Sequence, residues 1–461
     1  MLKGITNWVS RITGSQNGDS ALPGADILSR EEHGISRSEI SPAALKVMYR
    51  LNNNDFQAYL VGGGVRDLLL GGHPKDFDIA TDATPEEVRQ LFRNSRIIGR
   101  RFKIVHVRFG PEIIEVTTFR GGYDNEAENK ESGKEGKNTT IEKSQSGMLL
   151  RDNAFGSLEE DAIRRDFTVN ALYYTVDNFE VLDFCQGLQD LDDRKIRIIG
   201  DPQLRYREDP VRILRAVRFA AKLDFEIETA TRKPIKDLAR LLNDIPSARL
   251  FDESLKLFMG GYAEASLESL IKYEVLGFLF PATARCLHHP DETTLALLTR
   301  ATSNTDRRIA EGKPVTPAFI YAALLWPPLR QQLVALQTQG LSPHPAFHQA
   351  ATHVLEAQIK HTAIPRRFST IMREIWELQS KLEARAGRKV YTLYEHPRFR
   401  AAYDFLLLRE EAGEPTNSSA QWWTEFQDVS EEQRTAMVDN LEAPRKKRRK
   451  PRRRKPPADQ A

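Results

Sequence analysis

The sequence predicts an α+β chain: a small α/β head with a mixed sheet and flanking helices, followed by a mostly helical body and a disordered basic C-terminal tail. Three observations carry this reading. Short β-branched runs are confined to the first part of the chain, where they alternate with helix-like segments. From Pro202 onward helical periodicity dominates. Ten of the 67 Lys and Arg then crowd between Arg445 and Lys455 with no acid among them, so the remaining chain carries 57 bases against its 64 acids.

Length and composition set bounds. A chain of 461 residues exceeds what one hydrophobic core organises, and 40% apolar residues suffice for two or three domains plus tails. Cys185 and Cys286 stand too far apart for a disulfide framework or clustered zinc ligands, which fits a reducing cytoplasm. No apolar run approaches the ~20 residues that span a bilayer. Met1 to Ser15 also has no continuous apolar core of the signal-peptide kind, so neither secretion nor integral membrane association is expected. The basic block cannot fold by itself. It reads as an arm for a polyanion such as nucleic acid, its candidate contacts being Arg445, Lys446, Lys447, Arg448, Arg449, Lys450, Arg452, Arg453, Arg454 and Lys455; the plainer reading is a solubilising tail.

Along the chain, residues 1–38 are polar, rich in Ser and Gly, and expected to be flexible. Ser41-Pro42 supplies a cap and a Pro at the first helical position, opening an amphipathic helix over Ala43 to Leu51. Gln57 to Val61 reads as a short buried strand ended by Gly62-Gly63-Gly64, with helix over Val65 to Leu70. Thr84-Pro85-Glu86-Glu87 starts a helix to Arg93. Phe102 to Phe109 and Glu112 to Thr118 are strands joined at Gly110-Pro111. Gly121 to Gly147 turns polar and reads as a flexible insertion. A hairpin is expected from Ala171 to Val176 and Glu180 to Phe184 around Asp177-Asn178. Helices follow over Val211 to Leu223, Pro234 to Leu242 and Ala248 to Met259, and onward to Phe405. The expected divisions are 1–38, a head over 39–200 with the insertion 121–147, a helical segment over 201–265, a helical body over 266–430 and a tail over 431–461.

The chemistry concentrates in Leu60-Val61-Gly62-Gly63-Gly64-Val65-Arg66-Asp67 and, a short link later, Lys75-Asp76-Phe77-Asp78-Ile79-Ala80. In a strand, residues two apart share a face, so Asp76 and Asp78 are expected on one sheet surface, with Phe77 and Ile79 toward the core. Paired carboxylates repel unless a cation lies between them, and Mg²⁺ suits such hard oxygen ligands combined with substrate phosphates. The glycines let backbone N–H groups approach phosphates, and Arg66 can neutralise phosphate charge. A lone Asp-x-Asp is more often surface or turn, and a lone Gly-Gly a turn; it is the combination that has a mechanism. A third acid has two candidates. Glu115 lies on the Glu112 to Thr118 strand, where the plain alternative is an exposed position, and Asp166 lies in Arg164-Arg165-Asp166-Phe167-Thr168-Val169-Asn170, where it is helix-start ion pairing. Glu208, Arg212 and Arg215 fall at spacings of four and three, on one helical face.

Here a resemblance enters. Gly62-Gly63-x-Val65-Arg66-Asp67, Asp76-x-Asp78, Arg164-Arg165-Asp166-Phe167-Thr168-x-Asn170 and Glu208-Asp209-Pro210-x-Arg212-x-x-Arg215-Ala216-x-Arg218-Phe219 resemble the successive motifs of the class II nucleotidyltransferases, the group of tRNA CCA-adding enzymes and bacterial poly(A) polymerases. The match runs in order from Ile40 to Met259. It implies a nucleotidyltransferase head in which Asp76 and Asp78 hold a catalytic Mg²⁺ pair, with Glu115 or Asp166 completing the acids. Gly62, Gly63, Arg66 and Asp67 are implied at the nucleotide, the first three at its triphosphate, and Arg165 and Asn170 at its sugar and phosphates. Glu208, Asp209 and Arg212, with Arg215, are implied to read the incoming base, which makes 201–265 a nucleotide-recognition neck and 266–430 an RNA-binding body.

The implied reaction is in-line attack of an RNA 3′-hydroxyl on the α-phosphate of ATP, with two metals ~4 Å apart and loss of pyrophosphate. Ile97-Ile98-Gly99-Arg100-Arg101-Phe102-Lys103-Ile104-Val105-His106-Val107, the region from Ala363 to Asp404 and the basic tail resemble the poly(A) polymerase branch rather than the CCA-adding one. His106 is read simply as a strand residue. His288-His289-Pro290-Asp291 does not make a metal phosphohydrolase, so none is expected. The implied partners are ATP and single-stranded RNA 3′ ends of broad sequence, with RNA-degradation or RNA-chaperone proteins beyond them, and the chain is expected to be a cytoplasmic monomer. Alternatives are a tRNA CCA-adding enzyme and a catalytically inactive RNA-binding scaffold; clustered acids beside a polyanion argue against the latter.

Overall fold

The computed structural model describes residues 24–99, 103–121, 141–143, 149–152, 154–288 and 292–442. The chain divides into two compact units, Met1–Leu279 and Phe280–Ala461.

In the first unit, local signals open the elements. Ser41 Oγ accepts from Ala43 N at 3.1 Å and Pro42 follows it, starting the Pro42–Asn52 helix. That helix buries Ala43, Ala44, Val47, Met48 and Leu51, one stripe at helical spacing. Thr84 and Glu87 close a capping box on the Pro85–Leu91 helix. An eight-stranded sheet is built from β1 (Asp26–Leu28), β2 (Ala58–Val61), β3 (Asp78–Thr81), β4 (Ser95–Ile98), β5 (Ile104–Phe109), β6 (Glu112–Thr118), β9 (Leu172–Thr175) and β10 (Val181–Asp183), while β7 (Ile141–Lys143) and β8 (Leu149–Asp152) pair separately. Its order is β1-β10-β9-β2-β3-β6-β5-β4, and every neighbouring pair is antiparallel except β3 with β6. The sheet is therefore mixed, as expected.

Register decides which residues share a face. Leu60, Ile79, Val116 and Val105 stand side by side on β2, β3, β6 and β5. All four are at most 1% exposed, on the face packed by the Pro42–Asn52 helix. On the other face a row runs Ile27, Leu182, Tyr173, Val61, Asp78, Glu115, His106, Arg96. Its apolar half packs with Leu158 and Ala162 of the Leu158–Arg164 helix. The polar half runs from Asp78 to Arg96. A one-residue slip would exchange the two faces and strip four core side chains, roughly 6 kcal/mol or more at 1.5–3 kcal/mol each.

Several expectations need correction. The segment expected to be flexible through residue 38 enters the sheet at Asp26, where β1 pairs with β10. Within the polar insertion, Ile141–Lys143 pairs with Leu149–Asp152; residues 122–140 and 144–148 lie outside the described residues, as do 1–23 and 443–461. The helix after the glycines begins at Gly63, not Val65. Pro234 to Leu242 divides into an α-helix, Ile235–Leu238, and a 3-10 helix, Ala239–Asp244. The Leu158–Arg164 helix was not foreseen, although Ser157-x-x-Glu160 is a capping box legible in the sequence.

The second unit is helical. Its Pro317–Thr338 helix is buried without a break from Ile320 to Leu329, the signature of a central helix. A core of Trp423, Phe426, Phe399 and Leu406 packs the later helices. Helices continue beyond Phe405 to Glu442, so the segment expected to be a disordered tail from 431 begins with a helix, Glu431–Glu442, that buries Val438.

Candidate active site

Asp78 opens β3, and its register partners are Val61 at the end of β2 and Glu115 on β6. Asp76 is not in the strand: it is an exposed residue of the approach to β3, whereas Phe77 and Ile79 are buried as expected. Burial, reinforced by Glu115 and Asp76 against the pull of Arg165, lifts the Asp78 carboxyl to about 6. Asp76, Asp78 and Glu115 therefore form one zone of negative charge, with Arg165 on its border and His106 against Glu115. Asp166 stands apart from it. Burial pushes its carboxyl up, but Arg215 and Asn170 outweigh this and hold it at about 2. Its oxygens accept from Arg215 Nε at 2.5 Å and Asn170 Nδ2 at 3.2 Å.

The glycine turn leaves β2 beside Asp78. Gly62 has φ +69° and ψ −131°, a backbone that side-chain-bearing residues avoid. Its N–H is committed to Leu172 O at 3.3 Å, so the donors of the turn are the first-turn N–H groups of Gly63 and Gly64. A Cβ at Gly62 would lie 3.5 Å from Arg165 Nη1, and one at Gly64 would lie 3.7 Å from Asp76 O. Glycines, acids and Arg165 thus converge. Arg165 is steadied by Asp161 Oδ2 at 3.0 Å from Nη2 and by Tyr173 Oη at 2.7 Å from Nε.

The sequence reading put Arg66 at the triphosphate. Arg66 is 1% exposed and donates to Asp67 Oδ1 at 2.6 and 2.8 Å and to Asn170 Oδ1 at 2.5 Å. Asp67 Oδ2 in turn accepts from Lys222 at 2.9 Å. Arg66, Asp67 and Asn170 therefore join the glycine helix to Asp166 and to the Val211–Leu223 helix.

Glu208 and Arg212 do not share a helix. Asp209 precedes Pro210, is driven to an extended φ of −147°, and ends the Pro202–Glu208 helix before Val211–Leu223 begins. The pair still meets: Glu208 Oε2 accepts from Arg212 and Arg205, both at 3.0 Å. Arg215 turns to Asp166, and Asp209 Oδ2 accepts from Arg249 at 2.7 Å.

Three comparisons bear on this arrangement. Residues 58–197 match the family model described as the poly A polymerase head domain, residues 224–287 that of a probable RNA and SrmB-binding site of polymerase A, and residues 339–456 that of a polymerase A arginine-rich C-terminus. The chain is 47% identical over 467 residues, 99% of each chain, to Poly(A) polymerase I of Salmonella typhimurium. It belongs to the poly(A) polymerase family. The CCA-adding enzyme of Lactobacillus helveticus is 38% identical, but over 49% of this chain and 52% of its own. The fold resembles the Bacillus stearothermophilus CCA-adding enzyme in complex with CTP, at TM-score 0.53 and 24% identity over 87% of this chain and 82% of that one.

Within this poly(A) polymerase family member, sequence reasoning missed Asp161, Tyr173, Lys222 and Arg249, the partners that hold Arg165, Asp67 and Asp209. Only the first had a local signal, its i,i+4 spacing to Arg165. The basic residues Arg445 to Lys455 lie outside the described residues. No helix among the described residues is long and apolar enough to cross a membrane.

Proposed function

We propose that this chain extends RNA 3′ ends with adenylate from ATP at a divalent-metal site made by Asp76 and Asp78, with Glu115 as the third acid. The enzyme class follows from family membership: a polynucleotide adenylyltransferase acting on RNA. The observation that carries the site is the alignment of Asp78 with Glu115 on adjacent strands beside the glycine turn. Mg²⁺ fits the donors. They are hard carboxylates, and burial, reinforced by the neighbouring Glu115 and Asp76, lifts Asp78 to about 6, a cost that a cation would relieve. Such a site suits an ion bound partly through substrate phosphates. Held by Asp76, Asp78 and Glu115, a divalent ion would lower the pKa of the attacking hydroxyl and stabilise charge on the departing pyrophosphate.

The chain's residues do the rest. Gly63 and Gly64 N–H groups and Arg165 receive the triphosphate, Arg165 being fixed by Asp161 and Tyr173 so that its charge is preorganised. The RNA 3′ oxygen attacks the α-phosphorus, the α–β P–O bond breaks, pyrophosphate leaves, and the hydroxyl proton passes to solvent. Arg66, Asp67, Asn170, Asp166 and Arg215 act as ties that fix the nucleotide site against the base-reading residues Glu208, Asp209 and Arg212. In this reading 39–200 is the head, 201–265 the neck, 266–430 an RNA-binding body, and the basic tail captures RNA. Cytoplasmic residence, to which two cysteines outside any disulfide lend support, a monomeric state, and docking of RNA-degradation or RNA-chaperone proteins complete it.

The test is incubation with Mg²⁺, a 3′-hydroxyl RNA and each nucleoside triphosphate separately. Long ladders with ATP alone are expected. Addition that stops after C, C and A on tRNA, or no addition at all, overturns the assignment.

A further inference from the structure

The polar row across the sheet does not stop at the acids. His106 on β5 stands directly opposite Glu115 in the antiparallel register, as Glu115 stands beside Asp78 in the parallel one. His106 Nε2 lies 3.1 Å from Glu115 Oε1. An ionised carboxylate can only accept, so the imidazole carries its proton on Nε2 and donates. The pair is not sealed from water: the side chains are 26% and 46% exposed. As an isolated surface contact it would contribute little to stability. Its placement gives it another use. Glu115 has a long, rotatable side chain whose ordering carries an entropic cost. His106 engages Oε1 and restrains the carboxylate, whose register neighbour on the other side is Asp78.

We propose that His106 is a positioning residue that holds Glu115 in the orientation in which its second oxygen serves, with Asp78, the divalent-cation site. The inference rests on the metal reading above. It assigns His106 no proton transfer: a hydrogen bond from behind orients the ligand, as outer-shell partners of metal ligands commonly do, and the loss of such a partner typically weakens metal binding 10–100-fold.

The test uses the full chain as wild type, His106→Ala, His106→Phe, His106→Gln and Asp78→Asn. Binding of a non-hydrolysable ATP analogue is measured by calorimetry as Mg²⁺ is raised from zero, and kcat and KM for ATP are measured alongside. His106→Ala and His106→Phe are expected to need about 10–100-fold more Mg²⁺ to reach the wild-type affinity. Their binding without metal should be unchanged, and kcat at sub-saturating Mg²⁺ should fall. His106→Gln retains an N–H donor and should recover most of the loss. Should His106→Ala fail to fold, the Phe and Gln variants decide. Wild-type Mg²⁺ dependence in the Phe variant, or a Gln variant as impaired as Phe, overturns the proposal. If Asp78→Asn also keeps the wild-type Mg²⁺ dependence, the metal reading falls and takes this inference with it; if Asp78→Asn loses that dependence while His106→Phe keeps it, only the role of His106 is refuted.

Discussion

Replacing Arg215 by Met removes the counter-charge from the buried Asp166 carboxylate. Asp166 is held at about 2 rather than 3.8. At 1.36 kcal/mol per pKa unit, the contribution at neutral pH is about 2 kcal/mol. Breaking a buried pair by deleting one partner costs 3–5 kcal/mol where the remaining charge finds no substitute. Asn170 Nδ2 still donates to Asp166, so the loss should fall between these figures. Because the folded-state pKa is depressed, the stabilisation is fully present above about pH 4 and is lost as pH falls toward 2. Urea unfolding of wild type and Arg215→Met should therefore differ most at pH 7 and 5, by roughly half as much at pH 3, and converge only as pH falls to about 2 and below. The double variant Asp166→Asn/Arg215→Met should regain part of the loss. Equal midpoints at pH 7, or a difference that stays the same at pH 3, would refute the ion pair as the reason for the low Asp166 pKa.

Asp78→Asn should lower turnover by at least about a hundredfold, since several kcal/mol of charge stabilisation go with the metal site. It should not lower the melting temperature, because the carboxylate it removes is itself disfavoured by burial and by its acidic neighbours; wild-type rates in this variant would sink the assignment. Gly62→Ala should cost about 1–3 kcal/mol of stability, given the +69° φ at that residue, and raise the KM for ATP; an unstrained, fully active variant would remove the argument from the turn. Truncation after Glu442 removes all ten basic residues of the tail. It should flatten the salt dependence of single-stranded RNA binding by up to about 0.7 in log–log slope per lost phosphate contact, and an unchanged slope would leave the tail as a solubiliser.

What could be read in the sequence was what is local. The caps at Ser41 and Thr84, the Gly110 turn and the Val211–Leu223 helix are written in neighbouring residues, and they stand where expected. The signal at Asp209-Pro210 was equally local but was passed over in favour of helical spacing; proline excludes the continuous helix, and Glu208 meets Arg212 across the break. That Glu115 stands beside Asp78 while Asp166 pairs with Arg215 could not be read from either neighbourhood. It depends on β6 lying parallel to β3, a pairing of segments distant in sequence. The direction of Arg66 is hidden for a similar reason: its guanidinium is drawn to Asp67 and to the buried Asn170, which is distant in sequence. His106 reads as an ordinary strand residue until the register sets it against Glu115.

The one parallel pairing in the main sheet, β3 beside β6, has a consequence for how the head tolerates change. Asp78 and Glu115 are matched strand against strand, and β4 and β5 between them are themselves paired into the sheet, so the chain between Thr81 and Glu112 can change length only in its connections. Extra residues after Leu91, or at the turn beyond Phe109, lengthen the excursion and leave the two carboxylates facing each other. That excursion is the natural port for inserting a reporter or a regulatory module into the enzyme.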